Sequence, residues 1–246
     1  SYLPITRFGI ERSDAVTAVS DYLARVTREV FSPAKEIQVV PNFVDPDRWR
    51  PDDGQRGATC FARGGERLLL HVSNFRPVKR VLDVVEVFER VRRAVPSRLL
   101  MIGDGPDRPA AEALCREKGI SGLVHFLGNT PAVSEVMPAA DLYVLTTDME
   151  SFGLSALEAQ ASGIPVLGYR AGGLPEVVEN GKTGFLRAVG DVDGLAEDGI
   201  ALLRDDTAWG AASRAARERA VALFAADAIV ERYLGIYESV LADAGG

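Results

Sequence analysis

From residue 67 to residue 187 the sequence alternates short apolar runs with longer amphipathic stretches. The apolar runs are predicted to be strands, and they lie at residues 67–73, 99–102, 123–127, 142–145, 164–167 and 184–186. Several are separated by stretches whose apolar residues recur at three- and four-residue steps, which predicts helices. Strands that alternate with helices form right-handed crossovers, and such crossovers build a parallel sheet. The pattern therefore predicts an α/β fold with a Rossmann-like, doubly wound sheet of six strands.

The amphipathic stretches give the helices of this prediction. The first is expected over residues 78–95, with Val81, Leu82, Val85 and Phe88 on the face that meets the sheet. Further helices are expected at residues 108–118, 133–139, 191–203, 207–224 and 227–241. The last helix carries an apolar stripe, which we expect to be exposed or to pair with another molecule, a second copy of the chain included.

The first 46 residues form a smaller pattern of their own. A strand over 14–20, a helix over 21–31 and a strand over 37–40 make one β-α-β unit. Parallel strands need both faces of their sheet buried, and a unit of about 40 residues is too small for that, so it is predicted to be the tail of a larger domain. The polar, glycine-containing residues 47–66 are predicted to be a linker or hinge. A larger domain over 67–224, built on the six predicted strands, and a final helix over 225–246 complete the predicted organisation.

Composition excludes several classes of partner. The net charge of −7 argues against a large basic surface for nucleic acid, and no apolar run approaches the ~20 residues of a membrane span. Cys60 and Cys115 are isolated and fit a reducing, cytoplasmic compartment. His71 and His125 each lie in an apolar strand and are predicted to be core or strand-end residues.

Two cations follow the first strand of the predicted sheet. In doubly wound sheets ligands bind beyond the carboxyl ends of the strands, where Arg76 and Lys79 are expected. Cations are unfavourable at the start of a helix, so two of them there indicate a bound anion such as phosphate. The alternative is a pair of solvated charges beside Pro77.

Two carboxylates follow the strand at 142–145. Glu150 lies in a polar turn, and Glu158 comes eight residues later, inside the next predicted helix. The free N–H groups at the start of that helix form an anion site, and carboxylates beside it suit the hydroxyl groups of a sugar and a ribose. The alternative is that Glu150 neighbours a helix N-cap and that Glu158 is a solvated helix residue.

Glycines mark a third loop at the same edge. The run Gly103-Asp104-Gly105 lets a ligand approach the backbone closely, although it also marks any tight turn. A dinucleotide-binding glycine fingerprint and a Walker loop are both missing from the sequence, which disfavours NAD and ATP. Two histidines do not supply a Ser-His-Asp set or a metal cluster, so no metal ligands are predicted.

The order of these segments resembles glycosyltransferase family 4. The similarity lies in Asn-Phe-Arg-Pro-Val-Lys, Gly-Asp-Gly-Pro, Val-His-Phe-Leu-Gly, Glu-Ser-Phe-Gly-Leu-Ser-Ala-Leu-Glu, Gly-Ile-Pro-Val and Gly-Gly-Leu-Pro-Glu-Val-Val, and it covers residues 67 to about 190. It extends back through residues 14–45, which look like the end of the acceptor domain of that family's GT-B fold. The resemblance implies a retaining enzyme that needs no metal.

The family's donor-site roles transfer to matching positions. The resemblance implies that Arg76 and Lys79 hold the diphosphate and stabilise its departure, and that Glu150 binds the sugar hydroxyls. Relatives carry Gly-Arg where this chain has Ser73-Asn74, so Asn74 is expected to stand at the donor site and face the acceptor.

The remaining roles involve backbone groups and one further carboxylate. The N–H groups of Phe152, Gly153 and Leu154 are expected to hold the sugar and phosphate, and Glu158 the ribose. Gly103 and Asp104 lie in the glycine loop that a ligand approaches, and the strand end at Leu127 and Gly128 is expected to meet uracil.

Residues 5–11, 14–20, 41–45 and 72–80 are similar to one member of the family in particular. That similarity implies UDP-N-acetylglucosamine as donor and a small hydroxy acid, L-malate, as acceptor. With no clear nucleophile, we expect same-face attack in which the leaving diphosphate oxygen takes the acceptor's proton. We also expect a fragment that binds the donor without turnover.

Two alternatives stay open. The chain is also compatible with another family 4 transferase that uses a different donor or acceptor. It is compatible too with a nucleotide-sugar binding module that lacks catalysis, although the presence of both carboxylates and both cations argues against degeneration. Epimerases of the same fold would need other acid–base residues.

Overall fold

The computed structural model describes residues 2–52, 61–62 and 64–244. Its centre is a parallel sheet of six strands in the order β5-β4-β3-β6-β7-β8. These strands are β3 (Arg67–Val72), β4 (Ser97–Ile102), β5 (Val124–Gly128), β6 (Leu142–Leu145), β7 (Val166–Tyr169) and β8 (Gly184–Arg187). The predicted α/β sheet is therefore confirmed, with its six strands in the predicted places.

Helices cover both faces of the sheet, as parallel strands require. They are α3 (Val81–Ala94), α4 (Arg108–Glu117), α5 (Val133–Val136), α6 (Leu154–Ala161), α7 (Leu174–Val177), α8 (Val192–Arg204) and α9 (Asp206–Phe224). One core cluster joins one face of the sheet to α3, α4 and α8. A second joins the other face to α6, α7 and the end of α9. Alternate strand residues supply the two clusters, because successive side chains point to opposite faces.

The strand order reverses between β3 and β6. The chain runs outward from β3 through β4 to β5, then crosses back to β6 and continues through β7 to β8. Neighbouring crossovers diverge at such a switch point and leave a crevice beyond the carboxyl ends of the two strands. The segments that open this crevice are therefore the ones that follow β3 and β6.

The first helix of the sheet starts later than predicted. A single 3-10 turn over Pro77–Lys79 comes first, and Arg80 then takes a left-handed conformation at φ 47° before α3 begins. Within the helix, the predicted core positions Val81, Val85 and Phe88 are buried. Leu82 was also expected in the core and is instead 38% exposed.

The amino-terminal residues form a separate small layer. It comprises α1 (Leu3–Arg12), β1 (Thr17–Ala18), α2 (Asp21–Phe31) and β2 (Gln38–Val39), with β1 and β2 paired in parallel. The ladder is only two residues long in each strand, shorter than the predicted strands at 14–20 and 37–40. Its own core is small and centres on Ala18, Ala24 and Ile37.

The last helix, α10 (Ala226–Ala244), returns to this amino-terminal layer. Val44 forms a parallel bridge with Ala225, and the Arg232 guanidinium donates to the carbonyl of Val39. Ile229 is buried, but most of the predicted apolar stripe remains accessible. The exposed stripe residues are Val230, Leu234, Tyr237 and Leu241.

The predicted linker is only partly described. Residues 53–60 and 63, which include Cys60, lie outside the described residues. Trp49 is buried, and the carbonyl of Trp49 accepts a hydrogen bond from Arg217 at 2.6 Å. The other cysteine, Cys115, is buried in the core, and burial raises the pKa of its thiol to about 11. No helix in the described ranges combines the length and apolar character needed to cross a membrane.

Candidate functional site

Hydroxyl groups join the two segments that open the switch-point crevice. Thr147 donates to the carbonyl of Val78 at 3.1 Å, and the backbone N–H of Asp148 donates to the same carbonyl at 3.0 Å. Thr146 donates to the carbonyls of Lys79 and Arg80 at 3.2 and 3.0 Å. Both threonines are buried. The sequence analysis assigned no role to these threonines. The feature that could have indicated one is the pair of hydroxyl residues directly after an apolar strand.

This connection brings Lys79 against Glu150. The Lys79 Nζ donates to Glu150 Oε2 at 2.8 Å, and the two side chains are only 21% and 16% exposed. Partial burial weakens solvent screening, so the pair is stronger than a surface salt bridge. The two predicted residues therefore lie together at the sheet edge. Their direct pairing was not predicted.

Arg76 and Asn74 project from the loop after β3. Both are exposed, and neither makes a side-chain hydrogen bond or ion pair within the described ranges. Phe75 between them is buried in the core and anchors the loop. The Arg76 guanidinium is therefore available to an anion that enters the crevice.

His71 contacts the start of this loop from inside the core. It is fully buried, with Nδ1 2.8 Å from the carbonyl oxygen of Val144 and Nε2 2.7 Å from Ser73 Oγ. Burial lowers the pKa of His71 to about 4, so the ring is neutral. A carbonyl only accepts, so Nδ1 carries the proton and Nε2 accepts from the Ser73 hydroxyl. The predicted core histidine thus also orients Ser73.

The predicted glycine loop packs tightly on the same segment. Gly103 has φ +120°, and a Cβ there would lie 1.8 Å from the carbonyl oxygen of Ser73. The Gly103 N–H donates to the carbonyl of Gly128 at 2.9 Å, which ties the ends of β4 and β5 together. Leu127 is exposed beside this contact. The carboxylate of Asp104 accepts from the N–H of Gly105 at 2.8 Å, a role within its own turn.

Helix α6 begins at the crevice with unpaired amides. Gly153 is its N-cap in a left-handed conformation at φ +103°, and Phe152 is buried against Phe224. Within the described ranges the N–H groups of Phe152, Gly153 and Leu154 have no hydrogen-bond acceptor. Such groups at a helix start favour an anion.

Glu158 lies one turn into α6 and is largely enclosed. Burial raises the pKa of Glu158 to about 7, an effect that the positive charge of Arg48 opposes. Among the described residues its carboxylate accepts no hydrogen bond. Tyr143 lies within electrostatic range of both carboxylates: burial raises the pKa of its hydroxyl, and Glu158 and Glu150 raise it further. An enclosed carboxylate without a donor is suited to accept from ligand hydroxyls.

A second glycine pair shapes the Glu150 turn. The Gly173 N–H donates to the carbonyl of Glu150 at 2.8 Å. A Cβ on Gly172 would lie 1.8 Å from that carbonyl oxygen, and one on Gly173 would lie 2.4 Å from the carbonyl oxygen of Ser151. Only glycine permits this approach. The Gly-Gly pair was visible in the sequence, but its contact with Glu150 was not.

The crevice thus combines two cations, two carboxylates and a row of free amides. The cations and amides suit a diphosphate, and the carboxylates suit hydroxyl groups on either side of it. In the described part of the chain, no three His, Cys, Asp or Glu side chains are grouped as metal ligands.

A doubly wound sheet with such a switch-point crevice is the architecture of GT-B glycosyltransferases. Residues 61–220 match the family Glycosyl transferases group 1, and residues 1–48 match Glycosyltransferase Family 4. The chain belongs to the group 1 glycosyl transferases, which confirms the family resemblance found in the sequence.

Two curated relatives illustrate the range of the family. The chain is 42% identical over 240 residues to N-acetyl-alpha-D-glucosaminyl L-malate synthase of Bacillus anthracis, covering 97% of this chain and 63% of the relative. It is 32% identical over 244 residues to a GDP-mannose-dependent alpha-(1-6)-phosphatidylinositol monomannoside mannosyltransferase of Mycobacterium tuberculosis, covering 92% and 60%. The chain therefore spans less than two thirds of the length of both relatives.

The fold is also that of a solved enzyme. The sucrose-phosphate synthase of Thermosynechococcus elongatus superimposes with a TM-score of 0.89 at 26% identity, covering 98% of this chain and 62% of that chain. The amino-terminal layer and α10 are included in this match, since nearly the whole chain is covered.

Proposed function

We propose that the protein is a retaining glycosyltransferase that moves N-acetylglucosamine from UDP-N-acetylglucosamine to L-malate. The observation that carries the donor side is the Lys79–Glu150 pair beside the free amides of residues 152–154. The choice of substrates rests on the 42% identity to the malate synthase, which extends over 97% of this chain. That enzyme's product would place this chain at the first step of bacillithiol synthesis.

Lys79 would exchange one anion for another when the donor binds. In the structure its ammonium group is neutralised by Glu150. A diphosphate carries more charge and offers more oxygens than one carboxylate, so it would displace Glu150 from Lys79. Glu150 would then accept hydrogen bonds from the sugar hydroxyls, and Arg76 would close on the diphosphate from its exposed position.

The remaining donor contacts follow from the strand ends. Glu158 would accept the two ribose hydroxyls, and the backbone around Leu127 and Gly128 would meet the uracil. Gly103 and Asp104 would border the donor site, and Asn74 would face the acceptor from the loop after β3.

The transfer itself would proceed on one face of the sugar. The bond between C1 and the diphosphate oxygen breaks, and the malate hydroxyl oxygen bonds to C1 from the same side. The proton of that hydroxyl passes to the departing diphosphate oxygen. Arg76 and Lys79 would stabilise the negative charge that develops on UDP, so the protein contributes position and charge without a nucleophile or a metal.

A second function of the same class has support from the mannosyltransferase relative, which is GDP-mannose-dependent and 32% identical. A nucleotide-sugar binding module without catalysis is the other alternative. Against it stands the presence of Lys79, Glu150, Arg76 and Glu158 around one crevice. Homo-oligomer formation and a cytoplasmic location remain predictions.

One assay separates these functions. Natural protein, expressed from its complete reading frame, is incubated with UDP-N-acetylglucosamine, UDP-glucose or GDP-mannose and a panel of 2-hydroxy acids. We expect nucleotide release only with UDP-N-acetylglucosamine and malate, and a product with the α configuration by NMR. Release with another pair would move the protein to a different transferase. Binding of UDP-N-acetylglucosamine without release for any acceptor would favour the binding module.

A further inference from the structure

Ser20 connects the amino-terminal layer to the Glu150 turn by a hydrogen bond. This residue is fully buried and is the N-cap of α2, where its hydroxyl oxygen accepts from the N–H of Leu23 at 3.0 Å. The same hydroxyl donates to the carbonyl oxygen of Ser151 at 2.6 Å. A residue that caps a helix in one layer therefore also holds a carbonyl in the loop next to the proposed donor site.

Glu176 makes a second connection between the same elements. Its carboxylate oxygens accept from the backbone N–H groups of Asp21 and Tyr22 at 2.9 and 2.8 Å. These groups start α2 and have no acceptor inside the helix, and the helix dipole favours a negative charge there. On its own side, Glu176 is fixed by Arg219, which donates to the carbonyl of Glu176 at 2.8 Å.

The Ser20 contact is made to one peptide group of the Glu150 turn. The Ser151 carbonyl and the Phe152 N–H belong to the same planar unit and point in opposite directions. The Ser20 hydroxyl holds that carbonyl toward α2, so the Phe152 N–H is held pointing away from α2. The preceding carbonyl, of Glu150, is held from the other side by the N–H of Gly173.

We propose that Ser20 and Glu176 are positioning residues that set the orientation of the Ser151–Phe152 peptide through the seating of α2. Glu176 fixes the start of α2, and this fixes the position of Ser20. Ser20 in turn orients the peptide whose amide would contact the donor. The role of that amide rests on the proposed function; the coupling of the contacts does not. Because coupling is reciprocal, a ligand on the amide also tightens the docking of the amino-terminal layer.

The coupling is tested first without ligand, by residue-resolved amide hydrogen exchange of the chain. Glu176→Gln should speed exchange at Asp21 and Tyr22, since an amide side chain keeps only one acceptor oxygen. Ser20→Ala should speed exchange at Gly173, which Ser20 does not touch. Glu218→Gln is the matched control, because it removes the same charge from an exposed position on α9. It should leave exchange at Asp21, Tyr22 and Gly173 unchanged. Unchanged exchange at Gly173 in a folded Ser20→Ala protein would overturn the proposal.

The consequence for the donor is tested by calorimetry with UDP-N-acetylglucosamine and with UMP, which lacks the β-phosphate and the sugar. Loss of one well-oriented hydrogen bond lowers binding affinity about fivefold. Both variants should therefore bind the UDP-sugar about fivefold more weakly and bind UMP almost unchanged. Equal losses for both ligands would show a general structural effect and overturn the proposal. If the unsubstituted chain bound neither nucleotide, the proposed function would fail, and the exchange experiment would still decide the coupling.

Discussion

Lys79 and Glu150 form an ion pair of 2.8 Å although 71 residues separate them in the chain. The strand order explains the contact, because β3 and β6 are neighbours and the loops that follow them share hydrogen bonds. The pair neutralises a partly buried cation. Under the proposed function, a diphosphate would displace the carboxylate from Lys79, and the carboxylate would then bind the sugar.

Removal of Lys79 should weaken diphosphate binding. We expect Lys79→Ala to lower the affinity for UDP by about tenfold or more, since charge-assisted hydrogen bonds to phosphate are among the strong ones. The matched control is Lys182→Ala, because Lys182 is 63% exposed in the turn before β8, at the opposite end of the sheet. Calorimetry with UDP measures both. An equal affinity in Lys79→Ala and Lys182→Ala would remove Lys79 from the diphosphate site.

Much of this site could be predicted from the sequence because its parts are local. Each strand is a short apolar run, and the loop at its carboxyl end carries the polar residues, so the sequence pattern predicts that Arg76, Lys79 and Glu150 lie at one edge of the sheet. Their contacts depend on which strands are neighbours, and local patterns do not contain that order. The interlock of Ser20 with Ser151 spans 131 residues and was missed for the same reason.

The predicted start of α3 was wrong for a different reason. The prediction assumed one continuous helix from residue 78, but Pro77 opens a 3-10 turn and Arg80 adopts a left-handed conformation. The Arg80 guanidinium is held by Asp83 at 2.8 Å and lies over the ring of Tyr169. These contacts stabilise a backbone conformation that propensity disfavours, so the helix begins at Val81 and not at residue 78. Leu82 lies ~100° around the helix from Val81 and falls outside the buried stripe.

Glu158 should make nucleotide binding depend on pH. Its pKa is raised to about 7 by burial, so the carboxylate becomes ionised as the pH increases from 6 to 8. An ionised carboxylate is the better acceptor for ribose hydroxyls, and we expect UDP affinity to rise over this range in addition to any change from titration of UDP itself. Glu158→Gln should bind more weakly at pH 8 and should lose the additional rise. Parallel pH profiles for the two proteins, measured by calorimetry, would contradict the ribose role.

Glu150 should act on the sugar and not on the nucleotide. We expect Glu150→Gln in the natural protein to slow transfer from UDP-N-acetylglucosamine by about a hundredfold, comparable to the loss of one transition-state hydrogen bond. The affinity for UDP alone should not fall, because Glu150 is not expected to contact the nucleotide and Lys79 no longer has to leave a carboxylate to bind phosphate. Steady-state kinetics and calorimetry give the two values. A parallel fall of UDP affinity and rate would place Glu150 at the nucleotide.

His71 should make stability depend on pH. Its folded-state pKa is lowered to about 4, so the unfolded chain binds more protons at intermediate pH. The stability that neutral His71 contributes is fully present well above pH 6.5 and is lost as the pH falls toward 4, and about 1.5 kcal/mol should be lost between pH 6.5 and pH 5. Urea denaturation at both values measures this change. His71→Asn should flatten the difference, and an unchanged pH dependence in that variant would assign the effect to other groups.

Gly172 should be needed for the shape of the Glu150 turn, and a second glycine allows the steric effect to be isolated. Gly172 and Gly119 both have left-handed φ values, +57° and +68°, but a Cβ on Gly119 meets nothing within 4 Å whereas one on Gly172 would lie 1.8 Å from the Glu150 carbonyl oxygen. Gly119→Ala should therefore lower the free energy of unfolding by about 1 kcal/mol, from the backbone conformation alone. Gly172→Ala should lower it by about 3 kcal/mol and weaken UDP-sugar binding, since the turn must move. Chemical denaturation and calorimetry compare the two variants, and equal losses of stability with unchanged binding would show that the contact between Gly172 and Glu150 does not shape the site.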